Sequence, residues 1–295
     1  MHGLLPGGYW DGDGQLHRQF ELTAMTGREE ELLVGGEIGS ASVVTEVLSR
    51  CLRALGTISP VPPEVVRGLL VADRQFLLLQ LRKVAFGDRI RGSLFCPWPD
   101  CARRVSLDFS LTEVPVEEAS HRAPVHSMTL SADALGDDEA ACAEVHFRLP
   151  NGFDQEELSG LLAENEARAL TLLLSRCIVR IGPHTPPGDR RVAALSPRAR
   201  AEVEEQMERL APKVEQTMET ECAECTRAFL VPFDVQRFFF GDLRAGAALL
   251  YREVHHLALH YHWSEREIMD LTRDKRRTYI DVLDNMLLGG QNCGA

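Results

Sequence analysis

The stretch "LFCPWPDCARRVSLDF", residues 94–109, decides how this chain is read. Cys96 and Cys101 flank four residues, two of them prolines. Two thiolates at that spacing make half of a closed tetrahedral metal site, which needs four ligands. The other half stands 126 residues further on, where "TECAECTRAFLVPFDV" carries Cys222 and Cys225. After Cys101 the chain alternates through Leu107 and Phe109. After Cys225 it does so through Val231 and Phe233. Each pair therefore reads as a knuckle followed by a strand that alternates inward and outward.

The likeness extends upstream. "LSRCLRALG" (48–56) matches "LSRCIVRIG" (174–182) at the same spacing. "FELTAMTGREEEL" (20–32) parallels "FRLPNGFDQEEL" (147–158), one residue off that spacing. Four features in the same order imply an internal duplication. The expected fold class is α+β: two diverged repeats of helices and short strands, each with a zinc-ribbon-like knuckle, then a C-terminal helical segment. The expected divisions are an N-terminal arm (1–14), repeat 1 (15–112), a connector (113–141), repeat 2 (142–238) and C-terminal helices (239–295). Each repeat should run strand, helix, helix containing LSRC, Pro-rich turn, helix, knuckle, strand.

The copies have diverged in one helix. "RQFLLLQLRKVAFGD" (74–88) is apolar and should be buried, whereas "RARAEVEEQMERLAP" (198–212) is charged and should lie on the surface. Cys51 and Cys177 sit inside apolar helical patterns and read as core. Cys96, Cys101, Cys222 and Cys225 together would hold one structural Zn2+ between the repeats. A four-thiolate site leaves no open position for water, so it would clamp the fold without taking part in chemistry.

The C-terminal region is helical by pattern. Leu243, Ala247, Leu250, Val254, Leu257 and Tyr261 recur at spacings of four and three, a seam for another helix and a possible route to a homo-oligomer. Ser264 and Glu267 form a capping box. The last helix should bury Tyr279, Ile280, Leu283 and Leu287 and end on Gly289 and Gly290. Tyr261, Trp263, Arg276, Arg277 and Tyr279 are the residues expected to meet a protein partner. The run "RDKRR" (273–277) reads as a partner-binding or solvated face.

Composition bounds the function. Net charge is −12, which argues against a general nucleic-acid binder. No apolar run is long enough for a membrane span, and the N-terminus lacks the pattern of a secretory signal. The eight cysteines then fit metal ligands and buried thiols in a reducing cytoplasm. No phosphate-binding loop, nucleophile elbow or deaminase signature occurs. The alternative is a zinc-dependent hydrolase or nuclease built on the histidines between His255 and His262. His256 and His260 share a helix face, with Glu253 as the nearest carboxylate. It lacks the glutamate that follows the first histidine in HExxH, since Leu257 stands there.

Several segments in order carry a family resemblance: "FELTAMTGREEELL", "VAFGDRIRGSLFCPWPDC", "VHFRLPNGFDQEEL", "CAECTRAFLVPFDV" and "LLYREVHHLALHYHWSEREIMDLTRDKRRTYIDVL". Together they resemble the baseplate-type proteins of contractile phage tails and related injection systems. The nearest resemblance is to the hub assembly chaperones of T-even phages and their bacterial relatives. The resemblance covers most of residues 15–288. It implies a non-enzymatic role in assembling the baseplate or hub, through contacts with other tail components. The charge and the lack of a long apolar run give the expectation of neither a nucleic-acid nor a membrane partner.

Overall fold

The computed structural model describes residues 1–35, 40–135, 143–215, 217–232 and 235–291. Cys142, Phe233 and Cys293, and the side chains of Leu243, Ala247, Gly289 and Gly290, lie outside what is described.

The first half begins with strands β1 (His2–Trp10) and β2 (Leu16–Leu22), followed by helices α1 (Gly27–Gly35) and α2 (Ala41–Cys51). Strand β3 (Leu52–Leu55) and helices α3 (Pro63–Gly68) and α4 (Val71–Phe86) come next. A hairpin of β4 (Arg89–Phe95) and β5 (Arg104–Ser110) closes this half. The chain then passes through β6 (Val116–Glu117), β7 (His126–Thr129) and α5 (Ala132–Leu135). The second half continues as β8 (Glu144–Phe147), α6 (Gly152–Glu164), α7 (Glu166–Cys177), β9 (Ile178–Ile181), α8 (Asp189–Ala193) and α9 (Pro197–Leu210). Strand β10 (Lys213–Val214) precedes the hairpin of β11 (Thr217–Glu221) and β12 (Ala228–Pro232). Helices α10 (Val235–Tyr261), α11 (Glu265–Met269) and α12 (Arg273–Gln291) end the described chain. The fold class is α+β, as the sequence patterning indicates.

Each half holds an antiparallel three-stranded sheet, in order β1-β2-β3 and β7-β8-β9. The ladders agree residue by residue. Phe20 faces Leu55 as Val145 faces Ile181, and Glu21 faces Ala54 as His146 faces Arg180. Leu22 faces Leu52 as Phe147 faces Ile178, with an irregularity before the last pair in both. Leu22 therefore stands where Phe147 stands, whereas sequence comparison aligned Phe20 with Phe147. The reason is the period of a strand: a shift by two keeps the same face inward, and Phe20, Leu22, Val145 and Phe147 are all buried. Past β3 and β9 the chain turns on Gly56 and Gly182, with φ of 57° and 53°. That left-handed conformation favours glycine.

Two segments carry more structure than their composition suggests. Strand β1 lies within residues 1–14, which read as an arm, and β7 lies within the 113–141 connector. Both segments supply an edge strand to a sheet. Helix α9 is not simply a surface helix: Ala199, Val203 and Met207 are buried in the second core with Phe147, Leu174 and Cys177. Its apolar residues recur every fourth position, so one stripe packs while the charged residues face out.

Helix α10 ties the molecule together. Its Val235, Phe239 and Phe240 enter the first half's core beside Leu77, Leu81 and Ile90. Leu250, Val254 and Leu257 then pack on Ile268 and Met269. The expected seam is seen in those three leucine and valine positions. In α12, Leu283 is buried and Ile280 is partly so, but Tyr279 and Leu287 are exposed, contrary to expectation. The helix runs through Gly289 and Gly290 to Gln291. Among the described residues, no helix is long and apolar enough to cross a membrane.

Candidate metal centre

The two β-hairpins meet at their tips. Cys96 Sγ lies 3.8 Å from Cys225 Sγ, and Cys101 Sγ lies 3.8 Å from Cys222 Sγ. All four sulfurs fall within 4.8 Å of one another, the one such cluster of metal-ligating groups among the described residues. A zinc ion with Zn–S bonds of about 2.3 Å sets its four sulfurs about 3.8 Å apart at tetrahedral geometry. The four thiols therefore match the size and donor type of a structural zinc site.

Local geometry explains why the thiols converge. The N–H of Cys96 donates to the Arg103 carbonyl (2.8 Å), and that of Cys222 to the Arg227 carbonyl (3.1 Å), so each knuckle closes its hairpin. The turn needs one residue with positive φ after the second cysteine: Ala102 at 45° and Thr226 at 57°. For residues with a Cβ this conformation costs about 1 kcal/mol each, and a ligand holding the neighbouring thiols would offset it. Arg227 of the second knuckle pairs with Asp100 of the first and lies 5.0 Å over the Trp98 ring. This contact holds the two tips in register. Cys96 and Cys222 are buried, Cys101 and Cys225 half-buried, and Val105 and Phe229 pack beside them.

Electrostatics differ around the cluster. Backbone N–H groups of Cys225 and Glu224 hold the Cys222 thiol down to about 7, which favours a thiolate near neutrality. Burial, and after it the hydrogen bonds with the other three cysteines, pushes Cys96 up to about 12. Cys51 and Cys177 are fully buried and pushed up to about 12 by burial, which marks them as core thiols.

The partner-face residues are divided. Tyr261 stacks on Trp263 at 4.8 Å, and Tyr279 meets Trp263 edge-on at 4.9 Å, forming a half-exposed aromatic cluster. Arg277 is exposed. Arg276 is fully buried, however, and its guanidinium pairs with Glu30 at 2.8 Å and Glu253 at 2.9 Å. It is an internal tie, because a buried guanidinium needs carboxylate partners. Sequence reasoning missed this role, since partners 23 and 246 residues away leave no local pattern.

The histidine alternative finds little support here. Glu253 is engaged by Arg276. His260 Nδ1 lies 2.9 Å from the His256 carbonyl, and His256 Nε2 lies 3.2 Å from Asp284.

A model of the family described as "T4 bacteriophage base plate protein" matches residues 13–240. That span takes in both cysteine pairs and most of both halves, and the chain belongs to this family. The C-terminal helices, which carried part of the sequence resemblance, fall beyond the match. No curated protein and no solved structure matches the chain.

Proposed function

We propose that this protein is a non-enzymatic structural and assembly component, chaperone-like, of the baseplate of a contractile phage-tail-like particle. In this reading the two halves arose by duplication, and one structural zinc clamps them through Cys96, Cys101, Cys222 and Cys225. The single observation that carries the clamp is the convergence of four thiols from two separate hairpins at tetrahedral spacing. Bound zinc would supply a closed cross-link and no reactive position. The protein would act in the cytoplasm, where thiols stay reduced, and would bind hub or other tail proteins. Family membership supports the baseplate assignment.

Native mass spectrometry before and after a strong chelator tests the clamp. One zinc per chain, lost together with the folded charge states, is the expected result. Absence of metal, with the thiols freely alkylated, would leave the cysteines as core residues. Deleting the gene tests the role: particles should lack a finished baseplate, and normal particles would refute it.

A further inference from the structure

The chain contains one docking arrangement twice. In the first, the start of α6 sits on α2, α3 and α4. Asn151 bridges Leu70, the Gly152 N–H donates to the Leu69 carbonyl (3.1 Å), and Glu156 pairs with Arg67 (3.0 Å) and accepts from Thr45. Beneath it lies Arg74, fully buried, its Nη1 donating to Thr45 Oγ1 (2.9 Å). In the second, the start of α1 sits on α10, α11 and α12. Thr26 bridges Thr272, and the Gly27 N–H donates to the Leu271 carbonyl (3.3 Å). Glu30 pairs with Arg276 (2.8 Å), and Glu31 accepts from Tyr251 (2.8 Å).

Both docked elements share a chemistry. Each has Thr or Asn at the cap, then glycine, then an acid that reaches back to the cap: Glu29 to Thr26 and Asp154 to Asn151. A further acid, Glu31 or Glu156, reaches the receiving helices. The glycine fits a close contact in both, tighter at Gly152 than at Gly27. A Cβ on Gly152 would come within 2.8 Å of the Arg67 carbonyl, and one on Gly27 within 2.9 Å of Met269 Sδ. Both receiving sites also match. A short helix ends in a turn at a leucine, and a buried arginine follows five residues later: Leu69 with Arg74, Leu271 with Arg276.

A third receiving site of this form exists, made by α7, α8 and α9. Leu195 closes the turn after α8, and Arg200 follows at the same spacing. Arg200 Nη1 donates to Thr171 Oγ1 (3.0 Å) as Arg74 does to Thr45. Short α5 meets α9 through Ser131, whose N–H donates to Glu202 (2.9 Å), but among the described residues no helix start is hydrogen-bonded to Leu195 or Arg200. Arg200 and Thr171 are consequently half-buried and Ala167 is exposed, whereas Arg74, Thr45 and Ala41 are all buried. Its helices carry exposed Arg168 and Arg190 together with exposed Glu166 and Asp189, so the preference for an acidic occupant rests on the parallel with the two filled sites.

We infer that the α7–α8–α9 face receives the acid-capped start of a helix from a different protein chain, of the form Thr/Asn-Gly-x-Asp/Glu-x-Glu or near it. A second copy of this chain is a poor occupant, because both of its elements of this kind are already docked internally. This names a partner surface for the assembly role but does not rest on it. The face can bind such a helix whether or not the protein belongs to a particle.

The test uses the full chain and a fluorescent peptide of residues 144–164, braced by a lactam between exposed positions 159 and 163. Saturable one-to-one binding by anisotropy is expected. Arg200→Glu in the protein, or Gly152→Val in the peptide, should weaken it at least about tenfold. Ala167→Trp, at an exposed position that leaves the core intact, should block it equally. No binding, or binding indifferent to all three changes, would overturn the inference. Self-association of the free chain that Arg200→Glu abolishes would also overturn it, in favour of a second copy.

Discussion

Helices α4 and α9 hold the same place in the two halves, yet they are opposite in character. Helix α4 buries Ala72, Asp73, Arg74, Leu77, Leu78, Leu79, Leu81 and Arg82. Helix α9 buries Ala199, Val203 and Met207. The difference follows from their neighbours. Helix α4 lies among β1, α2, α6 and α10, while α9 packs on its own sheet and on α5. A helix enclosed on several sides must bury apolar side chains or charged ones with partners, as Asp73, Arg74 and Arg82 have, and one packed along a stripe need not. The composition of a helix therefore records how many elements surround it, and the half with fewer neighbours keeps a face for a partner.

The largest expected effect concerns what the halves share. Cys225→Ser should release the metal and lower the melting temperature by more than about 10 °C, because site formation and folding are coupled. Cys293→Ser, at a residue outside the described structure, should do neither. Equal metal loss in both would break the assignment, as read by metal content and thermal melting.

Next comes the arginine pair. Arg74→Ala should destabilise the fold by about 4 kcal/mol, since it strips charged hydrogen bonds from the buried Thr45 hydroxyl and the Ala41 and Val66 carbonyls. Arg200→Ala should cost about 1 kcal/mol or less, being half-solvated. Urea denaturation of the two variants measures the contrast, and similar losses would show that the second face is covered too.

Asp73 adds a pH dependence that Ala199, its counterpart, cannot. Burial pushes its carboxyl up to about 6, although the N–H groups of Gly7 and Gly8 pull it down. The folded chain then binds a proton more tightly than the unfolded chain. Stability from this group is fullest below its ordinary value near 4 and falls by about 3 kcal/mol as pH rises to about 6. Denaturation at pH 4 and pH 7 should show wild type losing ground relative to Asp73→Asn, and a constant difference would remove the argument.

The smallest effect sharpens the docking comparison. Gly152→Ala should cost about 2 kcal/mol, because the new methyl meets a backbone carbonyl. Gly160→Ala, with nothing near its Cβ, should be neutral or stabilising. Thermal melting of the two variants separates them.

The α+β class and the two cysteine pairs were legible in the sequence from short-range spacing, and the association of the pairs from the likeness repeated at 126 residues, whereas strands β1 and β7 were not. The paired thiols stand three and five residues apart and the LSRC helices recur 126 residues on, while the Ser264–Glu267 cap and the apolar seam through Leu250, Val254 and Leu257 are patterns within one turn or one helix. Three things were decided only by tertiary structure. The correspondence of Leu22 with Phe147 between the two sheets needed the ladders, since a shift by two residues leaves the strand pattern unchanged. The burial of Arg276 needed Glu30, brought from the other end of the chain. The open face beside Arg200 needed its two filled counterparts. Local sequence carries the period of an element and the chemistry of its side chains. Which faces of that element are covered depends on contacts between residues far apart in the chain, and no local pattern encodes them.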